Sequence, residues 1–244
     1  MTDNPTACLV IIGNEVLSGR TRDANLQFLA TRLGELGIPM REARVIPDVP
    51  ETIIATVNEV RARHAHVFTT GGIGPTHDDI TSECVARAFG VPWEVHEETR
   101  ALMAADYARR DPPVEFNAAR MRMATLPRGA VPIRCDETSA PGFTIGNVHV
   151  MAGVPRIFEA MVAGLLPTLA GGRPLLSQSH RIARGEGEIA GPLRELAEAY
   201  PDLLMGSYPY QGPDGGYGAN IVIRGQDGAR VGEAMARLAS LFPA

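Results

Sequence analysis

Cysteine is scarce in this sequence. Cys8, Cys84 and Cys135 are odd in number, lie far apart and never form Cys-x-x-Cys, which argues against a disulfide framework or a zinc ribbon and fits a reducing cytosol. Excess positive charge is missing too. With 23 Lys and Arg against 28 Asp and Glu, the formal charge of -5 speaks against non-specific nucleic-acid binding, whose affinity comes mainly from cations neutralising phosphates. The small groupings RARH (61–64) and ARR (108–110) have acids nearby and read as solvated helix faces. No basic leader followed by an apolar stretch opens the chain, and no run of about 18 apolar residues occurs. A soluble, cytoplasmic protein without membrane contact is expected.

What is present is ordinary globular composition, 45% hydrophobic and 21% charged, over 244 residues, a length that suits a main domain with a smaller appendage. ACLVII (7–12) is a continuous apolar run, as a parallel strand buried on both faces requires. The loop GNEVLSGR follows it. From Asp23, residues Leu26, Leu29, Leu33 and Leu36 recur at helical spacing up to the stop at Gly37. The pattern returns as strand 41–46 with a helix opened by Pro50, and again as strand 65–70 with a helix expected over Asp78–Phe89. Three βα units in succession predict a parallel sheet with right-handed crossovers and helices on both faces. Residues 97–109 and 114–125 read as two further helices, and 142–153 as a hairpin around Gly146-Asn147 that adds strands to the sheet; Pro155 starts another helix. Gly171-Gly172-Arg173-Pro174 marks a boundary. The expected architecture is α/β: a three-layer α/β/α domain over 1–172, then a small α+β domain over 173–244. The latter reads as strand 175–183, helix 188–199, strand 203–209, a Gly-rich turn at 212–218, strand 219–224 and a last helix.

In open parallel sheets, ligands lie beyond the carboxyl ends of the strands. The residues there are Gly13, Asn14 and Glu15 after the first strand, Asp48 after the second, Gly71, Gly72, Ile73, Gly74, Pro75, Thr76, Asp78 and Asp79 after the third, and Gly153 to Pro155 after the hairpin. Glycines let backbone N–H groups approach an anion, and a helix N-terminus adds partial positive charge. Yet GGIGP is neither a Walker loop, since no Lys follows, nor Gly-x-Gly-x-x-Gly. The acids change the reading. At an effective dielectric of ~20 and a separation of about 5 Å, a carboxylate opposes a phosphate by roughly 3 kcal/mol. A divalent cation such as Mg²⁺, Mn²⁺ or Co²⁺, held by Glu15, Asp78 and Asp79, would remove that conflict. Other roles stay open: Asp78 or Asp79 as helix caps, Asp48 as an Asx-turn or cap residue, Glu15 as a solvated loop acid, Thr70, Thr76 and Thr81 as turn or cap hydroxyls, and His77 as a plain surface residue. No Ser-His-Asp or Cys-His arrangement assembles from these spacings.

IIGNEVLSG, VIPD, GGIGPTHDDIT, APGF and AGVP, in this order and spacing, resemble the molybdopterin-binding domain shared by molybdenum-cofactor biosynthesis proteins, the competence/damage-inducible protein CinA and the N-terminal domain of eukaryotic FAD synthase. The likeness spans about residues 6–170, and GGIGPTHDDIT leans towards the CinA and FAD-synthase branch. GEGEIA and GSYP resemble the smaller domain appended in that branch. The resemblance implies a three-layer α/β fold that binds a pterin or nucleotide diphosphate, with Thr81, Pro141 and Gly142 joining the ligand site. It implies catalytic acids at Asp48 and Asp79, metal-dependent cleavage of ADP-ribose or FAD, molybdopterin as an alternative ligand, and a homo-oligomer, dimer or trimer. Asn14 stands where the family usually has Asp, Met151-Ala152-Gly153-Val154-Pro155 where Leu-Pro-Gly-Val-Pro is common, and Thr138-Ser139-Ala140-Pro141-Gly142 where Gly-Thr-Ala-Pro-Gly is common. The deamidase domain of full-length CinA is expected to be missing. Three functions follow: a metal-dependent pyrophosphatase releasing AMP, a molybdopterin adenylyltransferase or carrier, and a non-catalytic nucleotide-binding module.

Overall fold

β1 (Ala7–Ile12) is apolar at every position because both of its faces are covered. Cys8, Val10 and Ile12 enter one core with Ile53, Val57, Val85 and Val150, while Ala7, Leu9 and Ile11 enter the other with Leu29, Leu33, Phe158 and Met161. The period of two along a strand makes these the two opposite faces of one sheet. A computed structural model supplies the coordinates and describes residues 4–212 and 215–243. By contacts the chain divides after Gly172 into two compact units.

In the first unit, β1 leads through the one-turn helix α1 (Asn14–Leu17) to α2 (Asn25–Glu35), β2 (Met40–Ile46), α3 (Pro50–Arg61), β3 (His66–Thr70) and α4 (Thr81–Phe89). A short ribbon follows, β4 (Trp93–Val95) paired antiparallel with β5 (Thr125–Pro127), and between its strands lie α5 (Glu97–Arg109) and α6 (Ala118–Arg122). β6 (Val131–Cys135), β7 (Thr138–Ile145), β8 (Val148–Met151) and α7 (Pro155–Leu165) complete the unit. The sheet order is β2-β1-β3-β8-β7-β6; β2, β1, β3 and β8 run parallel, and β7 and β6 are antiparallel additions. Helices on both faces give the three-layer α/β fold expected from the sequence.

Several segments differ from expectation: within GNEVLSGR, read as a loop, Asn14–Leu17 form the helical turn α1. The helix placed over Asp78–Phe89 starts at Thr81, so both acids lie in the preceding turn. The helix placed over 114–125 shrinks to Ala118–Arg122, capped by the Asn117 side chain, because Thr125–Pro127 is drawn into the ribbon with β4. Trp93 secures that pairing by donating its indole N–H to the Thr125 carbonyl at 2.8 Å, a tertiary contact that outweighs helical periodicity. The hairpin strand starts at Thr138 rather than 142, so Pro141 and Gly142 stand inside β7 and not in a loop.

The second unit is β9 (Leu176–Ile182), α8 (Glu186–Ala199), β10 (Leu204–Gln211), β11 (Tyr217–Gly225) and α9 (Gly228–Leu241), with an antiparallel sheet of order β10-β11-β9. Its own core joins Ile182, Ile189, Leu196, Ile221, Ile223 and Leu238. Of the Gly-rich turn expected at 212–218, Pro213 and Asp214 lie outside the described residues, and Tyr217 and Gly218 already belong to β11. Ser207 of GSYP donates to Glu186 of GEGEIA at 3.0 Å, so the two quoted segments meet.

Candidate functional site

The parallel strands β1, β2, β3 and β8 end at one edge, and hydrogen bonds lace their loops together there. Gly13 donates to the Ile46 carbonyl at 3.1 Å and Gly71 to Met151 at 3.2 Å. Asp48 Oδ2 accepts the backbone N–H of Asn14 at 2.8 Å, which binds the β2 loop to the first turn of α1. Thr70 donates to the Ala152 carbonyl at 3.0 Å and accepts from Asn25 Nδ2, which also donates to the Gly153 carbonyl at 3.0 Å. Asn25, at the start of α2, thereby clamps the β3 and β8 loops. Sequence reading treated it only as part of a helix, and its burial and its partners Thr70 and Gly153 show only in the folded chain.

Beyond this edge lies an open cavity of about 530 Å³, within the size range of small-molecule sites. Glu15, Gly71, Gly72, Ile73, Gly74, Pro75, Asp79, Gly153 and Pro155 all border it. Apolar side chains line it as well, among them Met123, Ile157 and Met161, none of which the sequence pointed to as a ligand contact. Gly13, Asn14, Asp48, Thr76, Asp78, Thr81, Pro141 and Gly142 are not among the lining residues. Gly142 is instead packed beneath, where a Cβ would collide with the Val150 carbonyl and reach Met161 Sδ at 3.2 Å.

The acidic loop is held by its own hydrogen bonds. Asp79 Oδ2 accepts the Thr76 backbone N–H at 2.8 Å and the Thr76 hydroxyl lies 2.6 Å from both Asp79 Oδ2 and Asp78 Oδ1. That hydroxyl holds the Asp78 carboxyl below its ordinary range. Neither acid caps α4, which has no side-chain cap. Asp48 does not cap α3 either. Thr81 is buried and donates its hydroxyl to the Gly71 carbonyl at 3.0 Å.

The glycines have local causes. Gly72 has φ +67, and a Cβ there would collide with the Thr81 hydroxyl. At Gly74 a Cβ would stand 2.6 Å from Asp79 Oδ2, so the missing side chain makes room for a carboxylate. Glu15 folds over Gly13 in the same way. Arg122, also missed in the sequence because its segment read as plain helix, donates to the Asp79 carbonyl at 3.2 Å and lies 5.2 Å from the centre of the Trp93 ring. It anchors the acidic loop to the ribbon. A second cavity of about 540 Å³ near His66 and His149 has no carboxylate side chain in its lining and sits away from the strand carboxyl ends.

A parallel sheet that ends in glycine-rich loops over an acid-bordered cavity defines an α/β domain whose strand ends are where such folds commonly bind ligands. Residues 8–171 match the family described as probable molybdopterin binding domain, and the chain belongs to that family. Residues 174–244 match the middle domain of FAD synthase. Among solved structures, CinA from Thermoplasma acidophilum is similar at 27% identity and a TM-score of 0.62, over 68% of this chain and 99% of that one. With both domains matched, the CinA-like branch is the one this chain resembles. A Pyrobaculum calidifontis protein is 37% identical over 214 residues, 84% of this chain and 81% of the relative. A Sulfolobus acidocaldarius protein is 32% identical over 216 residues, 85% and 81% respectively. No helix among the described residues is long and apolar enough to cross a membrane.

Proposed function

We propose that the chain is a divalent-metal-dependent nucleotide pyrophosphatase that cleaves an ADP-ribose- or FAD-like diphosphate and releases AMP. One observation carries the reading: Glu15 and Asp79 border the same cavity as Gly71–Pro75 and the apolar side chains of Met123, Ile157 and Met161. An aromatic base fits against those apolar side chains, and a diphosphate against the glycine backbone. Two carboxylates so placed oppose a diphosphate by roughly 3 kcal/mol per close pair, which makes them poor company for it unless a cation is present. Two acids from different loops suit Mg²⁺, Mn²⁺ or Co²⁺, which commonly take one or two carboxylates with substrate oxygens completing the shell. The ion, when bound, supplies charge neutralisation at the diphosphate.

The chain's residues do the rest. Glu15 and Asp79 hold the ion, Thr76 keeps Asp79 oriented through its backbone N–H and a hydroxyl proton shared with Asp78, and Asp48 acts as a positioning residue through Asn14. Asp78, bonded to Thr76 and outside the cavity lining, serves the loop rather than the ion. In the reaction a water oxygen bonds to one phosphorus, the bridging P–O bond breaks with its electron pair staying on the departing phosphate oxygen, and the water proton passes to that phosphate or to solvent. Purified protein incubated with ADP-ribose, FAD and related dinucleotides, with each of the three metals, should release AMP detectable by chromatography. No AMP from any pair overturns the proposal.

A second reading, binding or adenylylation of molybdopterin in the same cavity, is favoured by the family match over residues 8–171. Calorimetric binding of molybdopterin without AMP release from dinucleotides would select it.

A further inference from the structure

At the opposite end of β1 from the cavity, three side chains of different metal-ligating type converge. Cys8 and Glu42 are direct partners across the parallel β1 and β2 ladder, and a register irregularity between Ala7 and Cys8 is what brings Glu42, instead of Arg41, opposite the cysteine. His64, just beyond α3, lies above them with Nε2 3.1 Å from Glu42 Oε2. One ligand atom from each of Cys8, Glu42 and His64 lies within 4.8 Å of the other two. We propose that Cys8, Glu42 and His64 form a second metal site, for a borderline-soft divalent ion of the Zn²⁺ or Co²⁺ type, separate from the hard-ion site of the cavity and independent of the pyrophosphatase reading.

The ligand chemistry selects the ion. A thiolate, an imidazole and one carboxylate suit zinc or cobalt, whereas Mg²⁺ takes oxygens alone. Ligand atoms around zinc sit 2.0–2.3 Å from it, so a spread of 4.8 Å closes by about 1 Å through side-chain rotation, and one position is left for water. The surroundings are favourable. Cys8 is fully buried, the His64 side chain is 7% exposed and that of Glu42 22%, so two of the three ligands are already largely out of bulk water and Glu42 is half-buried. The negative Cys8 and Glu42 cancel the charge of a divalent ion. Arg44 and Arg63, which now approach Glu42, are both also paired with Glu59, Arg44 through two hydrogen bonds of 2.7 and 2.6 Å, and so keep a counter-charge when Glu42 turns to the ion.

Binding is proton-balanced. Burial and the nearby Glu42 push the Cys8 thiol up to about 11, so the ion must displace its proton, and the proton goes to solvent. Without an ion, His64 Nε2 donates to Glu42 Oε2 and Nδ1 accepts from the Thr6 hydroxyl, 3.2 Å away; when Glu42 turns to the ion the ring proton moves to Nδ1, where Thr6 Oγ1 accepts it, and Nε2 becomes the ligand atom. The ion would join β1, the edge strand β2 and the end of α3 into one unit.

The test uses the full chain after treatment with a chelator, titrated with Co²⁺. A thiolate-to-cobalt charge-transfer band in the near ultraviolet that saturates with one equivalent, visible bands of tetrahedral strength, release of about one proton with that equivalent and displacement by Zn²⁺ are expected; further Co²⁺ held by the cavity carboxylates adds no charge-transfer band, since no thiol among the described residues borders that cavity. Cys8→Ser and His64→Gln should abolish the charge-transfer band and the high-affinity binding respectively, Thr6→Val should weaken binding by roughly 10-fold or more, and Cys84→Ser should leave the charge-transfer band intact. Absence of a charge-transfer band in the folded wild-type chain, or a band that survives Cys8→Ser, overturns the site. If Cys8→Ser does not fold, His64→Gln decides: unchanged cobalt affinity and bands overturn the proposal. AMP release measured with Mg²⁺ is a separate readout, so failure of this site and failure of the pyrophosphatase reading remain distinguishable.

Discussion

Asp48 and Asn14, 34 residues apart, are joined by a 2.8 Å hydrogen bond from the Asn14 backbone N–H to the Asp48 carboxylate. The side chain identity of Asn14 is irrelevant to this bond, which uses its backbone N–H alone. The bond fixes the turn that presents Glu15. Asp48→Ala should therefore lower AMP release by roughly 100-fold through misplacement of Glu15, since a shift of about 1 Å carries that cost. Urea unfolding should change by less than about 1 kcal/mol, because the bond is exposed. A large stability loss with intact turnover would contradict the positioning role.

The two adjacent acids should separate in function. Asp79→Asn and Glu15→Gln should each weaken Mn²⁺ binding and lower turnover by about 100-fold or more, whereas Asp78→Asn should change either by only a few-fold. Manganese titration followed by electron paramagnetic resonance, alongside AMP release, measures both. Equal losses at Asp78 and Asp79 would show that the loop rearranges when it binds.

Gly74→Ala tests the room reserved for a carboxylate. Its Cβ would stand 2.6 Å from Asp79 Oδ2, so Asp79 must move and turnover should fall with little loss of stability. Gly72→Ala should instead destabilise the fold by about 1–2 kcal/mol, because its φ of +67 is unfavourable for a side chain, with an added clash at Thr81. Comparing denaturant midpoints with rates separates the two.

Acid should weaken the first unit through His149. Burial first, and then the neighbouring His66, push its imidazole down to about 3, while in the unfolded chain it titrates near 6.5. Between these values the unfolded state binds the extra proton. Stability from this group is thus complete above pH 6.5 and falls as pH drops towards 3, at up to about 1.4 kcal/mol per pH unit. Unfolding free energies at pH 6.5 and pH 5 should differ by roughly 2 kcal/mol from this source. His149→Gln should flatten that dependence; an unchanged slope would assign it elsewhere.

Much of this could be read from residue order alone, and the exceptions share a cause. ACLVII announced a doubly covered strand because every residue in it is apolar, and Pro50 and Pro155 announced helix starts that the structure places at those residues. The start of α4 was misplaced because Asp78 and Asp79 look like cap residues, whereas their carboxylates are taken by Thr76. The β4–β5 ribbon was invisible because its pairing joins residues some 30 positions apart through Trp93. The glycines of GGIGP were legible as a ligand loop, but not their individual causes, since the partners Thr81 and Asp79 declare themselves only after the chain has turned.

β1 has only six residues, about 20 Å of chain, and is hydrogen-bonded along both edges. A slip of a single residue would exchange its two apolar faces, part Cys8 from Glu42 and draw Gly13 away from Ile46 in the same movement. The acidic rim and the distant thiol are therefore kept in lockstep by one short rod, and substitutions that loosen it should be felt at both ends together.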